Sequence, residues 1–288
     1  MLKRIASGLV AIVLAMPAVA AAPAGIEVAT SMAGEAVPHL NSSSVLVLNG
    51  LTGEPVYQKN PTKRVPIASI TKLMTAMVIL DSGVSLEEPV TITDAEIDRL
   101  KNTSSRLAIG TTLSRRELLL LALMSSENRA AAALARSYPG GTQAFVARMN
   151  RKARSLGMSD TIYYDPTGLD VRNTSTANDL ARMVRAAYGY PLIRAFSTTH
   201  EHSITAANNR VLQYKNSNAL VRSGEWEINL QKTGYIQEAG RCLVMHATVG
   251  TQPLIIVLLA ASGPSARVND AKAIRTWLEG HPSSWLAG

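Results

Sequence analysis

The chain has 288 residues, a formal net charge of +8 and a pI near 9.7, with 47% hydrophobic and 17% charged residues. Such a mix describes a globular protein with a substantial core, in one large domain or two small ones, and excludes collagen, coiled coil and disorder. Cys242 is the only cysteine, which excludes internal disulfides and cysteine metal clusters. The five histidines are scattered, no His-Glu-x-x-His pattern occurs, and only His200 and His202 lie close together, so no metal site is expected.

Lys3 and Arg4 precede an apolar run from Ile5 to about Met16, followed by Pro17-Ala18-Val19-Ala20-Ala21-Ala22. A positive start, a short apolar stretch and an Ala-x-Ala site predict a signal peptide over residues 1–22, with cleavage near Ala20 or Ala22. Removing it leaves a charge of 8 − 2 = +6. No later stretch approaches 18 apolar residues, so no further membrane segment is expected. The predicted product is exported to the periplasm, soluble or loosely held on the wall. A basic surface attracts polyanions. Export favours anionic wall polymer over nucleic acid, for which no zinc finger, aromatic RNP set or Arg-rich run is present.

Residues 23–40, rich in Ala, Gly and Pro, read as a linker to a domain spanning 41–288. Ser44–Asn49 and Pro55–Gln58 are predicted strands joined by a turn at Thr52-Gly53-Glu54. Ser69 to about Leu80 has helical spacing, with Ile70, Leu73, Met74, Met77 and Val78 apolar. Residues 85–200 are expected to be mostly helical. Ser114 and Glu117 form a capping box before a Leu-rich helix ending at Met124. An Ala-rich helix covers Glu127–Ser137. Two more helices, Thr142–Leu156 and Thr176–Tyr188, each start on a threonine cap, with a loop at Asp160–Asn173 between them. Strands return at Glu227–Thr233, Arg241–Val249 and Pro253–Ala260, and Ala266–Glu279 is a closing helix. The predicted class is α/β in the α+β sense: an antiparallel sheet flanked by terminal helices, with an all-helical lobe inserted at about 85–200. The cleft between the lobes is the natural ligand site.

Three short motifs carry chemistry. In Ser69-Ile70-Thr71-Lys72, positions i and i+3 share a helix face, so Lys72 can reach the Ser69 hydroxyl. A serine becomes a nucleophile when a base takes its proton, and lysine serves if burial and a nearby cation lower its pKa. Ser126-Glu127-Asn128 offers a hydroxyl and an amide two residues apart, able to relay a proton and hold a substrate amide. Lys232-Thr233-Gly234 ends a strand with a cation, a hydroxyl for a carboxylate and a glycine where a ligand would lie against the strand. Each has a bland alternative: a capping serine with an exposed lysine, a second helix cap, and a strand ending at a glycine turn. The first two motifs are common by chance; their ordered combination with the third is not.

That combination resembles penicillin-recognising serine enzymes of the β-lactamase/transpeptidase-like fold. The flanks extend the likeness. Pro66-Ile67-Ala68-Ser69-Ile70-Thr71-Lys72-Leu73-Met74-Thr75-Ala76 resembles the active-site helix of low-molecular-mass penicillin-binding proteins, the D-alanyl-D-alanine carboxypeptidases and endopeptidases. Asp165-Pro166-Thr167-Gly168-Leu169, and Lys232 to Tyr235 with Ala239 to Val244, match the same family, closest to its penicillin-binding protein 7-type endopeptidases. The resemblance implies Ser69 as acylated nucleophile, Lys72 as its base and Ser126 as proton carrier to the leaving amine. Asn128 would position Lys72 and the substrate amide. Lys232 would support the electrostatics, Thr233 would bind the substrate's terminal region, and Gly234 would leave room for the peptide beside the strand. The N–H groups of Ser69 and Tyr235 would form the oxyanion hole. It further implies no cofactor and no metal, peptidoglycan stems as substrate and β-lactams as covalent inhibitors.

Two departures bear on specificity. Many carboxypeptidases of the family carry an arginine before an Asn-Gly-Leu-Leu stretch, holding a terminal carboxylate. Here the stretch reads Asn216-Ser217-Asn218-Ala219-Leu220, with Ser217 at the arginine's place, although Arg241 could supply the charge. No β-rich second domain or amphipathic anchor is expected after the closing helix. Cleavage of cross-links is therefore expected ahead of carboxypeptidase activity. A class A-like β-lactamase is disfavoured because residues 157–175 hold Asp160, Asp165 and Asp170 but no Glu. An inactive wall-binding protein on the same fold is disfavoured by the intact motifs.

Overall fold

The computed structural model describes residues 37–281. The expected signal peptide and residues 23–36 of the expected linker lie outside the described residues. The remainder of that linker is already part of the domain: Leu40 is buried, and its carbonyl accepts the Lys59 ammonium at 3.0 Å.

Strands β1 (Ser44–Asn49) and β2 (Pro55–Lys59) form the expected hairpin. A short β3 (Val65–Pro66) leads through a 3₁₀ turn, Ala68–Ile70, into α1 (Thr71–Asp81). Then follow β4 (Pro89–Thr91), β5 (Thr112–Ser114), α2 (Arg115–Met124), α3 (Asn128–Arg136) and α4 (Gly141–Ser155). The chain continues through β6 (Thr174–Ser175), α5 (Ala177–Tyr188), α6 (Pro191–Ser197), β7 (Glu201–Thr205), β8 (Val211–Lys215) and α7 (Ala219–Ser223). It closes with β9 (Ile228–Ile236), β10 (Gly240–Val249), β11 (Gln252–Ala261) and α8 (Ala266–Gly280).

The main sheet is antiparallel with order β2-β1-β11-β10-β9. Alternate residues feed two cores. Val45, Val47, Leu243, Met245, Leu254, Ile256 and Leu258 face Ala271, Ile274 and Leu278 of α8. Leu46, Val244, Ile255, Val257 and Leu259 face the helical lobe. Because both faces are covered, β10 and β11 read as continuous apolar runs rather than alternating ones. Each such side chain, removed from water, stabilises the fold by about 1.5–3 kcal/mol. Asp270 of α8 ties the start of β1 to this layer, accepting from the Asn41 and Ser42 N–H groups at 2.9 and 2.7 Å.

Inside the inserted lobe α1 is buried on every side from Thr71 to Ile79, which explains an apolar pattern too broad for one face. The Ser114–Glu117 capping box forms as expected, and Thr176 caps α5 through the Asp179 N–H. Thr142 does not cap α4. Gly140 occupies that position at φ 85°, a left-handed conformation open to glycine. The region 85–114 is not helical. β4 pairs with β5, and between them Thr93 and Glu96 close a 3₁₀ capping box and Asp98 gathers the N–H groups of Leu100, Lys101 and Thr103. Three side chains, Thr93, Glu96 and Asp98, take up local backbone N–H groups in place of helical bonds, which explains the difference. The β7–β8 hairpin and the short α6 and α7, unassigned in the sequence, fill the stretch between the lobe and β9.

Candidate active site

The first motif does not sit in regular helix. Ser69 lies in the 3₁₀ turn, entered through Ala68 at φ 46°, and α1 starts two residues later. Positions 69 and 72 still share a face, and Lys72 Nζ lies 2.8 Å from Ser69 Oγ. Its other two neighbours are Asn128 Oδ1 at 2.7 Å and the Thr167 carbonyl at 2.7 Å. Both can only accept, so a neutral amine donates to them and keeps its lone pair for the serine hydroxyl. Lys72 is fully buried, and burial lowers its pKa to about 7, against the opposing pull of Asp165 and Glu127. Of the two causes expected from the sequence, burial does the work and the second lysine does not figure.

Ser126 and Asn128 flank the junction of α2 and α3. Ser126 takes φ 63°, and the cap of α3 is Glu127, whose carboxylate accepts the Arg129 N–H. Ser126 is thus free of the capping role and bonds Lys232 Nζ at 2.9 Å. Lys232 also donates to the Thr233 carbonyl at 2.8 Å and is fully buried. Burial first, then Lys72 and Arg267, push its pKa well below the ordinary lysine value. The two lysines therefore each hold a serine hydroxyl, and they lie near enough for Lys72 to depress the Lys232 pKa.

The third motif lies within β9, not at its end: the strand runs on to Ile236. Gly234 is needed by the protein's own backbone, since a Cβ there would lie 2.9 Å from the Ile67 carbonyl and 3.2 Å from Ser69 N. Strand and turn thus touch, which brings the peptides of Ser69 and Tyr235 side by side. Thr233 Oγ1 is 2.7 Å from Ser217 Oγ. Ser217 is held between the buried Asn216 and Asn218, and its N–H donates to the Met124 carbonyl at 2.7 Å. Arg241 does not reach into this corner; its guanidinium stacks on the Tyr235 ring at 4.4 Å.

Four contributors were given no role by the sequence reading, although two of them, Asp165 and Gly168, stand in a stretch that carried the family likeness. Asp165 and Asn173 shape the loop behind Lys72: Asp165 accepts from the Thr167 and Gly168 N–H groups, and buried Asn173 bridges Thr71 Oγ1 and Asp165 Oδ1 at 3.1 and 2.8 Å. The Asp-Pro-x-Gly turn was the available signal. Gly168, at φ 85°, lies on Ala68, where a Cβ would come within 1.9 Å of its carbonyl oxygen. Arg267 of α8 donates to the Gly234 carbonyl at 2.7 Å from behind the strand, and nothing in its sequence neighbourhood marks it.

A family model described as D-alanyl-D-alanine carboxypeptidase, peptidase S11, matches residues 31–263. A D-alanyl-D-alanine endopeptidase of Pseudomonas aeruginosa is 49% identical over 241 residues, 83% of this chain and 78% of that protein. A D-alanyl-D-alanine endopeptidase of Escherichia coli is 42% identical over 92% of this chain and 86% of its own length. The Streptomyces K15 DD-transpeptidase structure superposes with TM-score 0.79 at 29% identity, over 85% of this chain and 100% of that one. With its fold and its serine–lysine cleft matched along most of its length, the chain belongs to the S11 family of D-alanyl-D-alanine serine peptidases.

Proposed function

We propose that the protein cleaves D-alanyl cross-links of peptidoglycan through an acyl-enzyme on Ser69. The observation that carries this is the buried Lys72 amine, poised near pH 7 against the Ser69 hydroxyl. Lys72 takes the Ser69 proton as Oγ attacks the carbonyl carbon of the D-alanyl peptide bond. The developing oxyanion sits between the Ser69 and Tyr235 N–H groups; one such donor is worth roughly 3–4 kcal/mol. As the C–N bond breaks, Ser126 gives its proton to the leaving amine and is resupplied from the lysine pair. Asn128 holds Lys72 and the substrate amide. Lys232 keeps Ser126 in place, and Thr233 meets the substrate on the far side of the scissile bond. Water then attacks the ester, with Lys72 again accepting the proton, and frees Ser69. β-Lactams acylate the same hydroxyl.

The preference for cross-links rests on Ser217. Its hydroxyl touches Thr233, where a terminal carboxylate would lie. A neutral side chain there forgoes a charge-assisted contact worth about 1.5–3 kcal/mol, a loss that falls hardest on a peptide with a free terminus. The two relatives named as endopeptidases support the same reading. We place the enzyme in the periplasm on the strength of its leader-like first residues; no described helix is long and apolar enough to cross a membrane. The test is competition at equal concentration between cross-linked dimer peptides and uncross-linked pentapeptides, judged by kcat/KM. Preference for the dimer is expected, and preference for the pentapeptide would make the enzyme a D-alanyl-D-alanine carboxypeptidase.

A further inference from the structure

Behind the Ser126–Asn128 junction lies a second cavity, of about 430 Å³, that the chemistry above does not use. It is lined by Ser105, Arg106, Arg129, Arg210 and the apolar Ile109 and Leu212, with Ala108. Three cations share it and no carboxylate lines it. Arg129 donates to the Leu107 carbonyl at 2.8 Å. Arg106 donates to the Gln213 carbonyl at 2.6 Å and lies over the Tyr214 ring at 4.1 Å. Neither contact neutralises charge. Arg210, exposed at the start of β8, makes no side-chain hydrogen bond or ion pair among the described residues. Glu127, the acid that Ser105 of the lining touches, is buried and engaged by Ser105 Oγ at 2.7 Å and the Arg129 N–H at 3.2 Å.

Three arginines lining one cavity without a counter-ion repel one another, and an arginine retains several N–H donors after one carbonyl bond. An oxyanion placed among them would relieve the repulsion and accept paired hydrogen bonds. The rim adds apolar surface: Ile109 is 49% exposed. The segment that lines the cavity also touches the catalytic junction: Ser105 donates to Glu127, between Ser126 and Asn128, and Thr103 accepts from the Asn128 side-chain amide at 3.2 Å. That neighbourhood is what ties an anion bound there to the peptide whose amide Asn128 would hold.

We infer that the Arg106–Arg129–Arg210 cavity is a substrate subsite that receives a carboxylate which the wall peptide carries away from the scissile bond. The inference rests on the peptidase reading and adds to it a charge requirement outside the cleft. It explains how a site lacking the terminal-carboxylate arginine still selects an anionic peptide.

The experiment compares two versions of one cross-linked peptide, identical except that the side carboxylates are free or amidated. Wild-type protein should cleave the free acid about tenfold faster by kcat/KM, the scale of one charge-assisted contact. Arg210→Gln removes no contact within the fold and should abolish that difference, and Arg210→Glu should invert it. Penicillin acylation of each variant reports the state of Ser69 independently. Binding of the fluorescent acid and amide peptides to Ser69→Ala protein gives the same comparison without chemistry. Equal handling of acid and amide by the wild type in both assays overturns the subsite, as does a preference that survives in Arg210→Glu. Acid-selective binding without any cleavage would overturn the peptidase reading alone.

Discussion

Lys72 loses its water between α1, the 126–128 junction and the 165–168 loop, and its proton becomes the quantity that pH controls. Acylation by a fluorescent penicillin should rise between pH 6 and 8 with a midpoint near 7, because only the neutral amine accepts the Ser69 proton. Lys72→Arg keeps the cation and cannot accept, so its acylation should fall at least a hundredfold at every pH in that range. Near-normal acylation by this variant would leave Lys72 with a purely electrostatic role. Stability carries the same signature. The folded-state pKa of about 7 lies below the ordinary lysine value, so between pH 7 and about 10.4 the unfolded chain binds more protons and the lysine's cost to stability fades as pH rises. Lys72→Met should therefore raise Tm more at pH 6 than at pH 9, in calorimetric scans. Ser69→Ala changes a small side chain at a turn and should melt within a few degrees of wild type while losing penicillin labelling and peptidase activity together.

At the scale of elements, the cleft depends on two close backbone approaches to the Ala68–Ile70 turn, from Gly168 on one side and Gly234 on the other. Gly110 offers a control, with the same φ of 85° as Gly168 but nothing within 4 Å of its would-be Cβ. Gly110→Ala should cost about 1 kcal/mol for the left-handed residue alone. Gly168→Ala should cost clearly more in urea titration and slow acylation, because the Ala68 carbonyl must move. Equal costs would mean that the contact does not hold the turn. These approaches also mark where sequence reading stops. The three motifs, the sheet strands and the Ser114 cap were legible because each rests on local spacing or propensity. The extension of β9 through Gly234 was not: a glycine in a strand reads as an ending until the Ile67–Ser69 backbone is known to press on it. Likewise Arg267 and Asn173 act across 33 and 102 positions, on Gly234 and Thr71, and no periodicity encodes such partners. Residues 85–114 were misread because short polar side chains took over the backbone bonds a helix would have made.

At the scale of the whole molecule, the proposed preference for cross-links rests on a residue outside the three motifs. Replacing Ser217 with Arg puts a cation beside Thr233 and should move the kcat/KM ratio of pentapeptide to cross-linked dimer upward by about tenfold or more. An unchanged ratio would remove Ser217 from the account of substrate choice. The strand order has a consequence of another kind. β11, near the end of the chain, is the middle strand of the sheet, and it pairs Leu259 with Ser44, 215 positions earlier. Until the ribosome has made β11, β1 and β2 have no bond to β10 and β9, and both cores lack their central layer. Such distant closure makes folding slow, and here it also makes it late. The serine–lysine pair and the loops that bury it precede β9 in the chain, but Lys232 and Gly234 reach Ser126 and the Ser69 turn from a strand whose link to β1 runs through β11, so the cleft is completed last.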